Sequence, residues 1–348
     1  MQRSLLLVML VLLPFFSQGQ NLIPNPEFDT YSTCPNSKGQ ILYAPPWFSP
    51  NYNTVDFAHL CAGQGQAGIP INRWGDQHPV LGNGYAGIRT YFQSDDGVWD
   101  NYREYLSVQL SQPLDSGQWY YVSFQTSAGE SAKYYSDDLG LALTDTVEQE
   151  EVLYYPQAVS NPQGRMLNNY TNWQTITGTY QAKGGERYAT IGNFLPDSQT
   201  TIFEEGVWDS LFSSTYYFID EVIVSPCDFK AGDEFIIATS DTFCQGGQVE
   251  LSLNPQLNLT GISWFDASNS PTILVQDSGW YWVELTDSKG CKLQDSVYLY
   301  TIMPPDVSLG PDTVICPNGG WLLSVPPEEN QQYLWANGDS NHFRYTHH

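Results

Sequence analysis

Residues 21–35 read NLIPNPEFDTYSTCP, and residues 216–226 read YYFIDEVIVSP. The first is a short apolar run followed at once by turn-forming and acidic residues. The second is an apolar run with Asp220 and Glu221 at its centre. Two such segments bound a block of about 205 residues. In a jelly-roll sandwich the first and last strands can lie side by side. Asp29 would then meet Asp220, with Glu27 and Glu221 nearby. Carboxylates brought together repel unless a cation or a proton separates them. A structural calcium ion, which takes oxygen ligands, satisfies that arrangement at Asp29 and Asp220. The alternative is a turn capped by Asp29 and a solvated Glu221.

Between the two segments, helical periodicity gives way to short β-rich runs bounded by Gly, Pro, Asn and Asp, the pattern of sandwiches. Strands are expected at 105–110, 119–126, 139–144, 173–180, 188–193 and 216–224, then at 249–253, 261–265, 279–286 and 296–300. In WYYVSFQTS (119–127), Tyr120, Val122 and Phe124 fall on one face. Residues 149–155 read as a short helix or an irregular insert.

The fold begins after a leader. Arg3, an apolar run at 5–16 and Ser17-Gln18-Gly19 read as a secretory signal over residues 1–19. A retained anchor is the alternative. No later apolar run has membrane length, so no insertion is expected after signal removal. The chain has 13 Lys+Arg against 38 Asp+Glu, a net charge of −25, with the acids dispersed. Such a surface repels nucleic acid and anionic lipid and suits calcium, neutral glycans or basic partners. In an exported chain the six cysteines read first as disulfide candidates. Cys34 and Cys61 are expected to pair and staple the long loop region after the first segment. The expected location is secreted or cell-surface.

The texture changes after Cys227. SDTFCQGGQVELSL (240–253) and PDTVICPNGGWLLSV (311–325) begin two similar units whose Asp-Thr pairs, at Asp241 and Asp312, lie 71 residues apart. That period suits small Ig-like sandwiches. Trp264 and Trp335 take the place of a core tryptophan, and Trp119, Trp173 and Trp282 read as strand core. The expected organisation is a jelly roll over 20–227, an Ig-like unit over 228–302 and a second over 303–348. Cys244 is expected to pair with Cys291, 47 residues on. The equivalent partner of Cys316 would fall at 363, so the last unit is expected to be truncated, or else degenerate. Cys227 is left with Cys316, a cysteine outside the sequence, or no partner.

Hydrolase signatures are missing: there is no G-x-S-x-G and no H-E-x-x-H. His59 and His78 read as loop or packing histidines. Acids such as Asp95, Asp96, Asp100, Glu104, Asp137 and Asp138 could form the paired carboxylates of a glycosidase, but an acid-rich chain shows such residues anyway. Binding is the better reading. Sugars stack apolar C–H faces on aromatic rings while amides and acids take their hydroxyls. Candidate ligand residues are therefore Trp47, Trp74, Tyr85, Trp99 and Tyr102, with Tyr52 and Trp208 as further loop aromatics.

Four motifs in order carry a resemblance. NLIPNPEFD opens the block and YYFIDEV closes it. LSQPLDSGQWYYVSFQTS and NWQTITGTYQAKGGERYATIGNF lie between. Together they resemble the galactose-binding-like, carbohydrate-binding-module type of β-sandwich, which implies a structural calcium where the terminal strands meet. Asp29 stands where that family more often has Glu, and Pro26 where it has Gly. APPWFSPNYNTVDFAHLC, GDQHPVLGNGYAGI and NYREYLSVQL further resemble a subtype in exported surface proteins of gliding bacteria. There the sandwich precedes Ig-like or PKD-like repeats and often a type IX secretion sorting domain. The resemblance implies placement and architecture more than a ligand; with the loop aromatics, the expected function is a non-enzymatic exported protein recognising glycan or a cell-surface protein. A purely structural or adhesive role and a carbohydrate-active hydrolase are the rivals.

Overall fold

The computed structural model describes residues 21–93, 100–204, 213–230, 233–303, 307–312, 314–316, 319–327 and 332–347. The leader, Trp99, Trp208, Asp95 and Asp96 lie outside the described residues. The chain is all-β, with helix only as single 3₁₀ turns among the described residues. It forms two compact units. The first comprises Met1–Ile237, Ser252–Thr272 and Tyr281–Val297; the second comprises Ala238–Leu251, Ile273–Trp280 and Tyr298–His348.

The first unit holds a sandwich of two antiparallel sheets. Its strands are β1 (Asp56–His59), β2 (Gly84–Ile88), β3 (Leu106–Gln109), β4 (Trp119–Ala128), β5 (Gly140–Thr144), β6 (Gln157–Ser160), β7 (Gln174–Gln181), β8 (Tyr188–Gly192) and β9 (Tyr217–Pro226). One sheet runs β1-β2-β9-β4-β7 and the other β3-β8-β5-β6. Side chains alternate across each strand, so Tyr120, Val122 and Phe124 of β4 meet Leu106, Val108, Leu141 and Ile191 of the facing sheet in one core. On β9 the residues that enter this core are Tyr217 and Ile219, then Val222 and Val224. The register against β4 slips by one residue between Asp220 and Ile223, where Glu221 adopts φ 47°. This β-bulge restores the apolar side chains to the core after the polar Asp-Glu pair.

The chain ends meet as the acidic segments suggest, but the opening segment is not a ladder strand. Leu22 N–H donates to Val224 O at 2.7 Å, and Val222 N–H to Pro26 O at 3.2 Å. Pro24 and Pro26 lack the N–H a ladder needs, and the Asn21 side chain completes the pairing by donating to Val222 O and accepting from Val224 N–H. Phe28 and Ile219 share the core.

The outer face of the five-stranded sheet is also covered. Ile69 and Trp74, from the segment between β1 and β2, pack on Ala58, Tyr85, Tyr216 and Phe218. Cys34–Cys61 ties down the start of that segment. Residues 149–155 are irregular, and Leu153 and Tyr155 pack beside Tyr105 and Phe194.

The expected Cys244–Cys291 pairing is corrected. Cys291 is bonded to Cys227, with their α-carbons 6.0 Å apart, while Cys244 and Cys316 are free and exposed. Asp287 holds the bonded ends together: its carboxylate accepts from the N–H of Cys291 and of Asp228. Cys227 itself donates to Trp119 O.

Beyond the sandwich, β11 (Leu259–Trp264) pairs antiparallel with β12 (Gly279–Asp287) in the first unit. In the second, β10 (Thr242–Cys244) pairs in parallel with residues 300–302 at the end of β13 (Lys292–Ile302), and β14 (Gly320–Ser324) pairs antiparallel with β15 (Phe343–His347). The 71-residue period recurs as hydrogen bonds. Trp264 N–H donates to Ser268 O and its indole to Ser270 O; Trp335 N–H donates to Asp339 O and its indole to Asn341 O. Asp266 and Asn337 cap the same turn, and Ala267 and Gly338 both take positive φ, 65° and 86°. Trp264 is buried, but Trp282 is not core: on β12 the inward positions are Tyr281, Val283 and Leu285, so Trp280 and Trp282 face outward.

Candidate functional site

Asp29 and Asp220 are brought to one turn. Asp220 accepts from Val80 N–H at 2.7 Å and from its neighbour Glu221 N–H at 2.7 Å, while Asp29 accepts from Asn83 N–H. Gly82, at φ 67°, makes the approach possible, because a Cβ there would strike the Asp29 carboxylate. Asp29 is exposed and Asp220 fully buried. Burial pushes the Asp220 carboxyl up to about 8, against the pull of its backbone donors. No basic side chain forms an ion pair with it among the described residues. Alone, that carboxyl holds its proton at neutral pH; a hard cation beside it would favour the charged form.

Three of the expected ligand aromatics are packed inside. Trp47 is buried, stacked on Phe28 with ring centroids 4.9 Å apart, and its indole donates to Asn25 O. Trp74 is buried and stacked on Tyr216 at 3.9 Å. Tyr85 is buried edge-on to Phe218, its hydroxyl between Asn72 and Gln77. These three rings cannot reach a sugar: each has been drawn into packing by a neighbouring aromatic, which buries 150–250 Å² per ring.

Tyr102 does reach an opening. It lines a cleft of about 480 Å³ together with Lys38, Tyr52, Asn53, Thr54, Arg89 and Phe92. Tyr52 is 78% exposed, at φ 58°, and its hydroxyl accepts from Gln149. Tyr102 is 8% exposed and shows the cleft little beyond its edge.

The floor beneath is a polar network. Glu104 accepts from the hydroxyls of Tyr102 at 2.8 Å and Thr54 at 3.0 Å, and from Arg89 N–H at 2.8 Å. The Arg89 guanidinium lies 3.9 Å from Glu104 and 4.8 Å over the Trp74 ring. Trp74 and Tyr216 both donate to Asp56, whose other oxygen accepts from Gly39 N–H. Gly87 leaves room for this, since a Cβ there would overlap the Tyr216 hydroxyl. Burial raises Glu104 to about 7, with Asp56 adding to the rise and Arg89 opposing it. Asp56 is likewise raised by burial. The oxygens of both carboxylates are committed to protein donors. The pair therefore holds the cleft rigid and offers no free carboxylate to a scissile bond. His59 is also committed, its Nδ1 accepting from Cys61 N–H.

Lys38, Arg89, Phe92, Asn53 and Thr54 did not emerge from the sequence. The available signal was the scarcity of basic residues: two of the 13 line one cleft.

No protein-family model matches the sequence, and no curated protein matches it. Among solved structures, the CBM22-1 xylan-binding domain of Paenibacillus barcinonensis Xyn10C is similar at 11% identity, over 60% of this chain and 95% of that one, with a TM-score of 0.34. A CBM4 structure is similar at 16% identity, over 59% and 99%, with a TM-score of 0.26. A sugar-binding protein, described as such from Bacteroides thetaiotaomicron VPI-5482, is similar at 12% identity, over 60% and 100%, with a TM-score of 0.28. At these identities no residue of this chain is matched to a ligand contact in any of them.

Proposed function

We propose that this chain is an exported, non-enzymatic modular protein whose sandwich recognises glycan through the Tyr52–Tyr102 cleft. The observation that carries the reading is Tyr52. A large ring stands exposed above a mouth furnished with hydroxyl, amide and cationic donors, on a floor fixed by hydrogen bonds. Ring and donors match the two faces of a sugar. Lys38, exposed at the mouth, favours a sugar acid over a neutral one in a chain this acidic, while Arg89 is paired with Glu104 beneath. Two disulfides and the apolar leader support an oxidising, extracellular setting. The repeated tryptophan turns support Ig-like or PKD-like spacers after Cys227.

Immobilised polyuronate and neutral xylan, offered to the full chain, test the cleft. Binding to polyuronate should fall about tenfold, equivalent to about 1.4 kcal/mol, in Tyr52→Ala, with melting unchanged because the ring is exposed. Lys38→Ala should weaken polyuronate more than xylan. Wild-type binding that survives Tyr52→Ala in full removes the cleft from the reading, and binding to no glycan leaves the structural or adhesive role.

Calcium at Asp29 and Asp220 belongs to the same proposal. Its chemistry there is charge neutralisation where the chain ends meet. A chelator should lower the melting temperature of the wild type and have a smaller effect on Asp29→Asn; identical melting curves with and without chelator reject the ion.

A further inference from the structure

A second oxygen-lined cleft, of about 520 Å³, opens at the end of the four-stranded sheet. The register there pairs Gly140 of β5 with Ser160 of β6. The residues just before one strand and just after the other are thus neighbours: Asn161 N–H donates to Leu139 O at 2.9 Å. Asp137, Asp138 and Asn161 all line the cleft.

Asp137 is 3% exposed and Asn161 is 5% exposed. One Asp137 oxygen accepts from Gly164 N–H. The other, Oδ1, is buried and has no donor among the described residues. The Asn161 amide nitrogen is fixed on the carbonyls of Asp137, Pro162 and Arg165. Its orientation is therefore set, because a flipped amide would put oxygen against carbonyl oxygens. Its Oδ1 is also buried without a donor among the described residues. Two buried acceptors left unsatisfied are costly, and the carboxylate adds a charge. Asp138 brings a second carboxyl, whose Oδ2 accepts from Thr201 N–H. Neither aspartate forms an ion pair among the described residues.

What satisfies acceptors alone is a donor or a cation. A protein donor is missing, the charge is negative, and every candidate ligand is oxygen. We infer that Asp137, Asn161 and Asp138 hold a hard divalent cation of calcium's class, at a site separate from Asp29 and Asp220. Calcium prefers six to eight oxygens, and Gln157, Ser160 and Gln199 supply further oxygens on the cleft wall.

Calorimetric titration of calcium into the chelated and dialysed full chain tests the site. Asp29→Asn isolates it from the other proposed ion. That variant should retain one calcium equivalent, and adding Asp137→Asn should weaken its binding at least tenfold. Where Asp137→Asn does not fold by circular dichroism, Asp138→Asn on the same background is read instead. The inference is overturned if Asp29→Asn binds no calcium, in which case the two oxygens hold water only. It is equally overturned if the folded Asp137 or Asp138 variants bind as the Asp29→Asn parent does.

Discussion

Glu104 shows what a buried acid does for a cleft and what it costs the fold. Its carboxyl is raised from 4.5 to about 7. Between those values the folded chain holds a proton that the unfolded chain has released. Stability from this group is therefore complete below about pH 4.5 and is lost as pH rises through about 7, a loss of up to about 3 kcal/mol. Melting measured at pH 5 and pH 8 should show the wild type less stable at pH 8. Glu104→Gln should narrow that difference, because an amide does not titrate, although the new N–H facing Arg89 N–H lowers stability at both pH values. An equal pH effect in wild type and variant would assign the dependence to other groups.

At the scale of the element, β2 sets the floor by what it lacks. Gly87 leaves the sheet surface open where the Tyr216 hydroxyl crosses to Asp56. Gly87→Ala should push that hydroxyl away and destabilise the chain by about 1–3 kcal/mol, the usual cost of overpacking. A calorimetric melt reads this directly, and Tyr216→Phe in the same background should recover part of the loss. The same strand shows why reading the sequence stopped short. GYAGI carries two glycines and no branched residue until its end, and DFAH of β1 is as plain, so neither resembles a strand. By contrast WYYVSFQTS alternates, and its core face was legible. The terminal pairing was legible too, because Asp220 and Glu221 interrupt an apolar run at a single point. Loop aromatics were not. A tryptophan in a loop has the same letter whether it faces water or, as Trp47 and Trp74 do, a stacked neighbour. On β12, apolar residues on both faces left the inward face of GWYWVELTD open, and Trp282 fell on the other side. The cysteine pairing was misread because the repeat aligns Cys244 with Cys316, whereas the partner of Cys291 lies before the repeat begins.

For the whole molecule, the Cys227–Cys291 bond is the feature with the longest reach. It closes a loop of sequence separation 64, worth about 4 kcal/mol in the chain-entropy account. Serine at both positions should lower stability by an amount of this order in denaturant titration, while serine at the exposed Cys244 should change nothing. Glycan binding should survive the double replacement, since the cleft lies on elements that precede Cys227.

The bond also sets a path for force. If the chain is pulled by its two ends, tension arriving at Cys227 passes through sulfur to Cys291, and residues 228–290 carry none of it. Roughly 220 Å of contour, at about 3.5 Å per residue, stays locked until a reductant cuts the link. A surface tether built this way would stretch in two lengths, short while oxidised and long once reduced.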